Sequence, residues 1–497
     1  MPTEIATEEK RQYLESNLDS NVEYLNRLLG VKESFDMICR RLRYAGKAFA
    51  LYFVDGFAKD DIMNRLMDHL ADLNQGALSV REIQRLLQTH IAYLEVETVK
   101  EVGQIVDAVL SGPLVLLIDG ETEAIVIDAR TYPARGPAEP DTERVVRGAR
   151  DGFTETFVFN TALTRRRIRD PRLRFEYIRV GARSKTDMCL AYIKDVANPD
   201  LVNILREELK KVEIDGLPMA EKTVEELVFK QNWNPYPMIR YTERPDVAAV
   251  HLLEGHVLIY VDTSPSVIIT PTTFFHHVQH AEEYRQKPVV GAYLRWIRLL
   301  AILGSIVVPP LWLAFVLSPG LVPEAFGFVI PENLGRFHLF WQLLIAELGI
   351  DVLRMAAIHT PSPVATAMGL VAAVILGEIA VDVGFFIKEV VLYIAIAAVG
   401  NYATPSYEFA LANRLVRLGL LVITSVFSLF GFGLLGLVSG LVLWFVMLAR
   451  TRSLETPYLW PLLPFNGKAL VHVLMRTPIL WNKKRPEVLN PLDRTSR

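Results

Sequence analysis

Four carboxylates stand out because each lies one helical turn from another within an apolar stretch of the chain. Glu347 and Asp351 are four residues apart and are followed by Arg354, while Glu378 and Asp382 repeat the four-residue spacing. Residues at this spacing share one face of a helix. A lone carboxylate in hydrocarbon costs about 2.5–3.5 kcal/mol or more, so these groups must face protein or water.

Two roles fit such acids. If several copies of the chain surround an axis, each pair becomes a ring of carboxylates, and acidic rings attract cations and repel anions. On this hypothesis Glu347, Asp351, Glu378 and Asp382 line an ion pathway. The alternative is salt bridges within the membrane or between subunits, such as Asp351 with Arg354 or Asp382 with Lys388. The sequence leaves both roles open.

A basic cluster in the polar part of the chain includes Arg165, Arg166, Arg167 and Arg169. It could contact phospholipid headgroups or acidic patches on a neighbouring subunit. The other interpretation is a solvated or salt-bridged surface. Since the net charge of the chain is only −3, we expect no nucleic-acid partner.

Motifs for catalysis and metal binding are weak in this sequence. His276 and His280 are four residues apart, a spacing compatible with a metal, but an interfacial role is favoured because no cysteine lies nearby. The phosphate-binding, dinucleotide-binding, zinc-protease and nucleophile-elbow motifs are absent from the sequence. We therefore expect no enzymatic activity, no cofactor and no metal.

The distribution of charge separates a polar part from a membrane-like block. Of the 497 residues, 51% are hydrophobic and 22% are charged, but Leu299–Ala449 contains only eight acidic and five basic residues. The two cysteines, Cys39 and Cys189, lie in the polar part and suggest a reducing compartment. Met1–Lys32 has no apolar core segment, so we expect the N-terminal part to be cytoplasmic.

Several stretches of the apolar block are long enough to span a bilayer. They are Leu299–Ser318, Met355–Gly377, Val390–Tyr407 and Leu418–Ala449. The last is too long for one straight span, and glycines near its middle favour a helical hairpin over one kinked helix. Phe337–Ala357, which carries the first acidic pair, is an additional candidate.

The basic residues that flank these stretches predict their orientation. Positive residues favour the cytoplasmic side, which places Arg295 and Arg298, Arg414 and Arg417, and Arg450 and Arg452 inside. The count of spans is then even, and both ends of the chain are cytoplasmic.

The polar part repeats itself. Leu51–Val54 aligns with Leu190–Ile193, and Gly112–Asp119 aligns with Gly255–Asp262 at almost the same offset along the chain. Apolar runs closed by Asp-Gly are typical of strands with turns. Two matched pairs at nearly equal offsets favour two related α/β subdomains over chance similarity.

The predicted fold class is therefore α/β plus α-helical membrane: two related cytoplasmic α/β subdomains followed by a polytopic transmembrane domain. The predicted segments are an amphipathic helical segment (1–30), subdomain 1 (31–140), subdomain 2 (141–275), a juxtamembrane helix (276–298), a transmembrane domain of four to six helices (299–450) and a cytoplasmic tail (451–497).

Three segments carry a resemblance to a known family. They are Glu143–Glu155 with Asn160–Ile168, Pro271–Tyr284, and Arg295-Trp-Ile-Arg298 at the entry to the first span. With them the chain resembles the A-type subunits of the GerA family of spore germination proteins over nearly its whole length. Nutrient-receptor A subunits tend to have Gly-Gln before the span at 355–377 and Gln at position 378. Here Ser362-Pro363 and Glu378 occupy those positions, which argues against a nutrient receptor with a companion B subunit.

The resemblance implies a multi-pass protein of the spore inner membrane. It implies assembly into homo-oligomers, with pentamers expected, that conduct monovalent cations and release ions during germination. The expected partners are membrane lipids, other copies of the chain and a small membrane protein of the germination machinery. The residues leave two alternatives: a membrane-anchored scaffold or ligand-sensing subunit without its own pore, and a secondary transporter.

Overall fold

The computed structural model describes residues 12–58, 60–71, 79–81, 84, 95–130, 143–230, 233–318, 320, 322, 324–359, 369–371, 374–478, 481 and 483–495. Their contacts define two compact units. The first, the α/β unit, contains the chain up to Gln231, Tyr241–Pro271 and the tail from Asn482. The second, the helical unit, contains Asn232–Arg240 and Thr272–Trp481.

The α/β unit contains two five-stranded sheets with the same strand order. The first sheet has the order β1-β2-β4-β5-β3 and the second has the order β6-β7-β9-β10-β8. The strands are β1 Met37–Tyr44, β2 Lys47–Val54, β3 Glu95–Val99, β4 Leu114–Ile118, β5 Ala124–Asp128, β6 Leu173–Val180, β7 Thr186–Ile193, β8 Arg240–Thr242, β9 Val257–Val261 and β10 Val267–Thr270. Neighbours in the first sheet all pair antiparallel.

The predicted internal repeat is confirmed by the positions of the strands. The first residues of β2 and β7 are as far apart in the sequence as the aligned segments Leu51–Val54 and Leu190–Ile193. The first residues of β4 and β9 are as far apart as the aligned segments Gly112–Asp119 and Gly255–Asp262. The strand order agrees as well, so the two copies share a topology in addition to a few matching residues. Subdomain 2 is therefore a second copy of subdomain 1.

Helices cover the sheets of the α/β unit. They are Leu18–Leu29, Asp60–Ala71, Val102–Ser111, Phe157–Arg167, Pro199–Lys210, Ala220–Phe229 and Pro245–Glu254. Side chains alternate along a strand, so Ala50 and Tyr52 of β2 pack with Leu18–Leu29, while Phe49 and Leu51 pack against Asp60–Ala71. The first sheet thus has a helix layer on each face.

The amphipathic N-terminal helix belongs to subdomain 1. Leu18–Leu29 buries Leu18, Val22, Leu25 and Leu29 in the core of that subdomain, and it ends at Gly30, whose φ of 70° is left-handed. Helix Phe157–Arg167 follows it at the offset that separates β2 from β7 and takes the equivalent place in subdomain 2. The amphipathic N-terminal helix therefore packs within its own chain.

The same set of hydrogen bonds, which we call the corner, fixes the start of both of these helices. The backbone N–H of Leu18 donates to Asp119 and that of Phe157 donates to Asp262, each over 3.3 Å. The Asn21 side chain donates to the Glu15 carbonyl and accepts from the Glu15 N–H. Asn160 makes the equivalent pair of bonds with the backbone of Thr154. The duplication thus extends to individual side-chain hydrogen bonds.

The end of the chain returns to the α/β unit. Backbone N–H groups of Leu492 and Asp493 donate to the carbonyls of Val196 and Asp195, and the Arg485 side chain donates to the Leu253 carbonyl. The segment predicted as a cytoplasmic tail is therefore divided: its last described residues belong to the α/β unit, and Thr451–Pro478 belongs to the helical unit.

Within the helical unit, the predicted juxtamembrane helix is divided into shorter elements. Phe274–Val278 and Ala281–Arg285 are short helices, and Pro288 begins a 30-residue helix that continues to Leu317. Further helices are Leu339–His359, a π-helical turn Ile375–Ile379 continued by Ala380–Asp382, Lys388–Tyr402, Tyr407–Ser428, Gly433–Arg450 and Gly467–Leu474. Much of the span predicted at 355–377 lies outside the described residues.

Three described helices are long and apolar enough to cross a membrane: Pro288–Leu317, Tyr407–Ser428 and Gly433–Arg450. The last two form the hairpin that glycines predicted within 418–449, with Gly431 in the turn at a φ of 79°. Close packing of helix Lys388–Tyr402 on the first long helix depends on Gly400, where a Cβ would come within 2.3 Å of the Ala301 carbonyl oxygen.

We predict that replacing either corner asparagine destabilises the α/β unit to a similar extent. Asn21→Ala or Asn160→Ala removes both hydrogen-bond partners of a partly buried backbone segment, which costs about 1–3 kcal/mol. The effect appears as a lower melting temperature of the full-length protein in detergent. As a control, Asn203→Ala on the exposed face of helix Pro199–Lys210 should change stability by less than about 0.5 kcal/mol. Equal melting of all three variants would contradict the structural role of the corner.

Candidate functional site

The first acidic residue forms a buried ion pair between two helices. Glu347 in helix Leu339–His359 accepts from Nε and Nη2 of Arg417 in helix Tyr407–Ser428, at 2.6 and 2.8 Å. Both side chains are about 1% exposed. The Nη1 group of Arg417 also donates to the Ser305 carbonyl of helix Pro288–Leu317 at 2.9 Å. One guanidinium therefore links three helices.

The second acidic residue extends this network toward one side. Asp351 forms an ion pair with Arg414 at 2.5 Å and accepts a hydrogen bond from Arg354 at 2.9 Å, and Arg414 also lies 3.5 Å from the Glu347 carboxylate. Two carboxylates thus face three arginines, so the cluster carries one excess positive charge. Bidentate arginine–carboxylate pairs are the strongest of the common ion pairs because both partners are charged and the geometry is fixed.

This geometry bears on the two roles left open by the sequence. The predicted Asp351–Arg354 pair is present, and Glu347 is enclosed by helices of its own chain. The ion-pathway role of Glu347 and Asp351 stays a prediction. In the single chain, however, Glu347 presents no carboxylate surface to water.

The second acidic pair lies in a different environment. Glu378 is in the π-helical turn Ile375–Ile379, and Asp382 ends the helix that follows; both residues are exposed. Ile375 and Ile379 beside them are also about half exposed. The Asp382–Lys388 pair is not among the ion pairs of the residues that the structure describes. Two carboxylates therefore lie on the surface of an otherwise apolar helical segment.

Sequence reasoning overlooked the partners of the first acidic pair. The uncharged run predicts a span that begins at Leu418, with Arg414 and Arg417 on its cytoplasmic flank. The helix instead begins at Tyr407 and contains both arginines, which are buried in it. A charge inside such a helix is tolerated when it is paired, and the cytoplasmic side of these arginines stays a prediction. Their three-residue spacing in an apolar stretch was the available signal.

The basic cluster of the α/β unit is largely engaged within the chain. Arg165 is fully buried, donates to both oxygens of Asp36 at 2.8 and 3.1 Å, and lies 5.0 Å from the centroid of the Phe175 ring. Arg167 forms two bonds of 2.7 Å with Asp151. Arg166 and Arg169 are exposed. Contact with headgroups or a neighbouring subunit stays a prediction, and Arg165 instead joins the two subdomains.

The histidines near the first span serve the local backbone. The Nδ1 atoms of His276 and His280 accept from the N–H groups of Thr273 and Glu282 at 3.0 and 3.2 Å. His277 is stacked on Phe409 with ring centroids 5.6 Å apart, and burial lowers its pKa to about 3. An uncharged ring in an aromatic cluster and two helix-capping rings fit the interfacial interpretation.

Another group in the α/β unit has the composition of a metal site. The ligand atoms of His251, Glu254 and His256, at the end of helix Pro245–Glu254, lie within 4.8 Å of one another. The Nδ1 atom of His251 is hydrogen-bonded to the Val247 carbonyl at 2.8 Å, so its Nε2 could serve as a ligand. The spacing of these three residues in the sequence matches no metal-binding motif.

A duplicated α/β domain joined to a bundle of long apolar helices with internal ion pairs defines a polytopic membrane protein. The chain matches the family model described as Bacillus/Clostridium GerA spore germination protein over residues 23–488. It therefore belongs to the GerA family of spore germination proteins, as the resemblance of its motifs predicted.

Curated relatives match along the whole chain. Stage V sporulation protein AF of Bacillus subtilis (strain 168) is 49% identical over 96% of each chain. Spore germination protein GerLA of Bacillus cereus is 30% identical over 97% of this chain and 98% of the relative. Among solved structures, the N-terminal domain of the A subunit of the Bacillus megaterium spore germinant receptor GerK3 matches with a TM-score of 0.42 and 28% identity, over 53% of this chain and 97% of that domain.

We predict that Glu347→Gln destabilises the helical unit by about 3–5 kcal/mol, because it leaves the buried Arg417 without a countercharge. Replacing both partners, as Glu347→Met with Arg417→Met, should recover most of that loss. The measurement is thermal melting of the full-length protein in detergent. Glu378→Gln, which neutralises an exposed acid, should leave the melting temperature nearly unchanged. A double variant that melts no higher than Glu347→Gln would contradict the pair as the cause.

Proposed function

We propose that this chain is an oligomeric cation-conducting subunit of the spore inner membrane that releases ions during germination. Family membership and the resemblance to A-type subunits support germination as the setting. The 49% identity to stage V sporulation protein AF supports a sporulation-linked role rather than that of a nutrient receptor. The expected assembly is a homo-oligomer, with five copies proposed, that acts with a small membrane partner.

The exposure of Glu378 and Asp382 is the observation that carries this proposal. Carboxylates in an apolar segment need protein or water around them. Among the described residues, no basic side chain forms an ion pair with either acid. Placing the segment at the axis of an oligomer would give both acids access to water and would produce the acidic ring that attracts cations.

The Glu347 network has a supporting role in this proposal. It holds helix Leu339–His359 against helices Tyr407–Ser428 and Pro288–Leu317 through charged hydrogen bonds. These hydrogen bonds would break if the helices moved along one another. A rigid bundle would keep the segment around Glu378 at a fixed distance from the axis. On this hypothesis the first acidic pair positions the pathway and the second pair lines it.

The docked tail supports an even number of membrane crossings. The α/β subdomains precede the first long helix, and the tail that hydrogen-bonds to Val196 and Asp195 follows the last one. Both ends of the membrane region must then lie on the same side. If the first long helix crosses once and the hairpin of Tyr407–Ser428 and Gly433–Arg450 crosses twice, an even total requires an odd number of crossings between Ser318 and Tyr407. Arg295 and Arg298 favour the cytoplasm as the common side.

We predict that single cysteines at positions 32 and 483 react from the same side of the membrane, and that a cysteine at position 430 reacts from the other. The variants are Lys32→Cys, Lys483→Cys and Phe430→Cys in a chain whose own two cysteines are replaced by alanine. Burial raises the pKa of Cys39 and of Cys189, so these thiols would react slowly in any case. The measurement is labelling of protoplasts with a membrane-impermeant maleimide before and after permeabilisation.

In that experiment Phe430→Cys should be labelled on intact protoplasts, while the other two should require permeabilisation. The cysteine-free chain is the control for background labelling. Labelling of Lys32→Cys and Lys483→Cys from opposite sides would rule out an even number of membrane crossings. It would also rule out the packing of the tail on the α/β unit.

We predict that Glu378→Gln with Asp382→Asn lowers potassium efflux several-fold, because it removes the acidic ring that concentrates cations. The measurement is efflux from liposomes that carry the purified protein, alone and with its small membrane partner. Glu332→Gln, an exposed acid outside the two pairs, is the matched control and should conduct like the unaltered chain. Each sample is compared at equal oligomer size.

The alternative is a membrane-anchored scaffold or ligand-sensing subunit, which the internal pairing of Glu347 and Asp351 favours. A scaffold predicts no efflux from any of these proteins, even with the partner present. Efflux that is equal in the unaltered chain and in the Glu378→Gln/Asp382→Asn variant would place the pathway elsewhere. A secondary transporter would instead give a flux that saturates with a co-substrate.

A further inference from the structure

An arginine cluster surrounds one buried acid at the start of the first long helix. Glu283 is fully buried and pairs with Arg295 at 2.6 Å and with Arg298. Arg295 also donates through Nη1 to the carbonyls of His472 and Val473 at 3.2 and 2.7 Å. Arg476 donates to the Tyr284 carbonyl at 2.7 Å. Segments far apart in the sequence thus meet at this point.

The charges in this cluster do not cancel. Arg295 and Arg298 share the single carboxylate of Glu283, and Arg476 bonds to the carbonyl of the next residue, so the cluster carries two excess positive charges. Arg295 and Arg476 are more than nine-tenths buried, yet Nη2 of Arg295 and Nε of Arg476 have no hydrogen-bond partner among the described residues. Buried donors normally find an acceptor, and a cluster with excess positive charge favours an anionic one.

Backbone geometry shows that the cluster is built closely. At Gly291 an added Cβ would lie 2.4 Å from the Glu283 carbonyl oxygen and 2.9 Å from Cδ of Arg476. Only glycine allows the helix to approach both groups. The arginines are therefore held in place by close packing and are not free surface side chains.

The surroundings have the character of a membrane interface. Arg295 lines a narrow cleft whose other walls are apolar, formed by Phe275, Val278, Trp296, Leu299, Val473 and Leu474 together with Gln279. Tyr284, Tyr293 and Trp296 are exposed beside it. Tyrosine and tryptophan concentrate where headgroups meet hydrocarbon. The cleft thus joins a cationic end to an apolar one at headgroup level.

We propose that this cluster binds the phosphate of an anionic phospholipid, with an acyl chain along the apolar cleft. The two excess positive charges match a headgroup that carries a net negative charge. Exposed Arg285 and Lys287 lie beside the cluster and add to the attraction, while Glu282 opposes it. The site requires only that the helix enters a membrane, so it is independent of ion conduction.

The test measures phosphatidylglycerol binding to the delipidated full-length protein in neutral detergent by native mass spectrometry. Arg298→Gln with Arg476→Gln removes both excess charges and retains the Arg295–Glu283 pair. Lys468→Gln, an exposed basic residue on helix Gly467–Leu474, is the matched control. Melting temperature and elution volume establish that each variant is folded.

We expect the unaltered chain and Lys468→Gln to bind one phosphatidylglycerol per chain more tightly than any further copies. The double variant should bind it about thirtyfold more weakly. Equal affinity of the double variant and the unaltered chain would overturn the proposal. If the double variant does not fold, comparison of lipids on the unaltered chain decides, because a net-cationic site must prefer phosphatidylglycerol to zwitterionic phosphatidylcholine.

Equal binding of the two lipids would therefore also overturn the proposal. Competition with inorganic phosphate distinguishes a lipid headgroup from free phosphate as the bound anion. If millimolar phosphate displaces the lipid completely, the cluster is a site for free anions and the lipid assignment fails. Retention of phosphatidylglycerol under those conditions supports a site that recognises headgroup and chain together.

Discussion

The cost of placing charge in an apolar bundle is the constraint on which the helical unit depends. Arg417 cannot be buried among helices unless a carboxylate neutralises it, and Glu347 provides both oxygens of that carboxylate. Because a broken buried pair costs more than an intact one contributes, the pair acts mainly on specificity. It fixes which faces of three helices meet, through the contacts of one guanidinium with Glu347 and with the Ser305 carbonyl.

Duplication gives the α/β unit two copies that are equal in topology and unequal in their contacts. Both copies use an aspartate and an asparagine to hold the entry of the same helix. Position 165 of the second copy corresponds to Asn26 of the first, which accepts a hydrogen bond from Tyr52 of its own subdomain. Arg165 instead reaches Asp36 of the other subdomain. The two copies therefore differ at the residue through which the second subdomain contacts the first.

The acids of the helical unit differ in how their charge is satisfied. Glu347 and Asp351 find arginines inside the chain, whereas Glu378 and Asp382 remain on the surface of an apolar segment. A chain that leaves such carboxylates exposed needs further protein or water around them. This is why the pathway is proposed at the second pair, although the sequence offered both pairs and favoured the first.

The sequence by itself determined the elements and their repetition, because both depend on local periodicity. Strands Leu114–Ile118 and Lys47–Val54, the nearly equal offsets between the two copies, and the hairpin turn at Gly431 all follow from patterns within short segments. Only the tertiary structure decided which charges meet. Arg417 and Glu347 are 70 residues apart, and Arg165 and Asp36 are 129 apart. No local pattern identifies the partner of a buried charge, because many carboxylates compete for it until packing brings one of them within hydrogen-bonding distance.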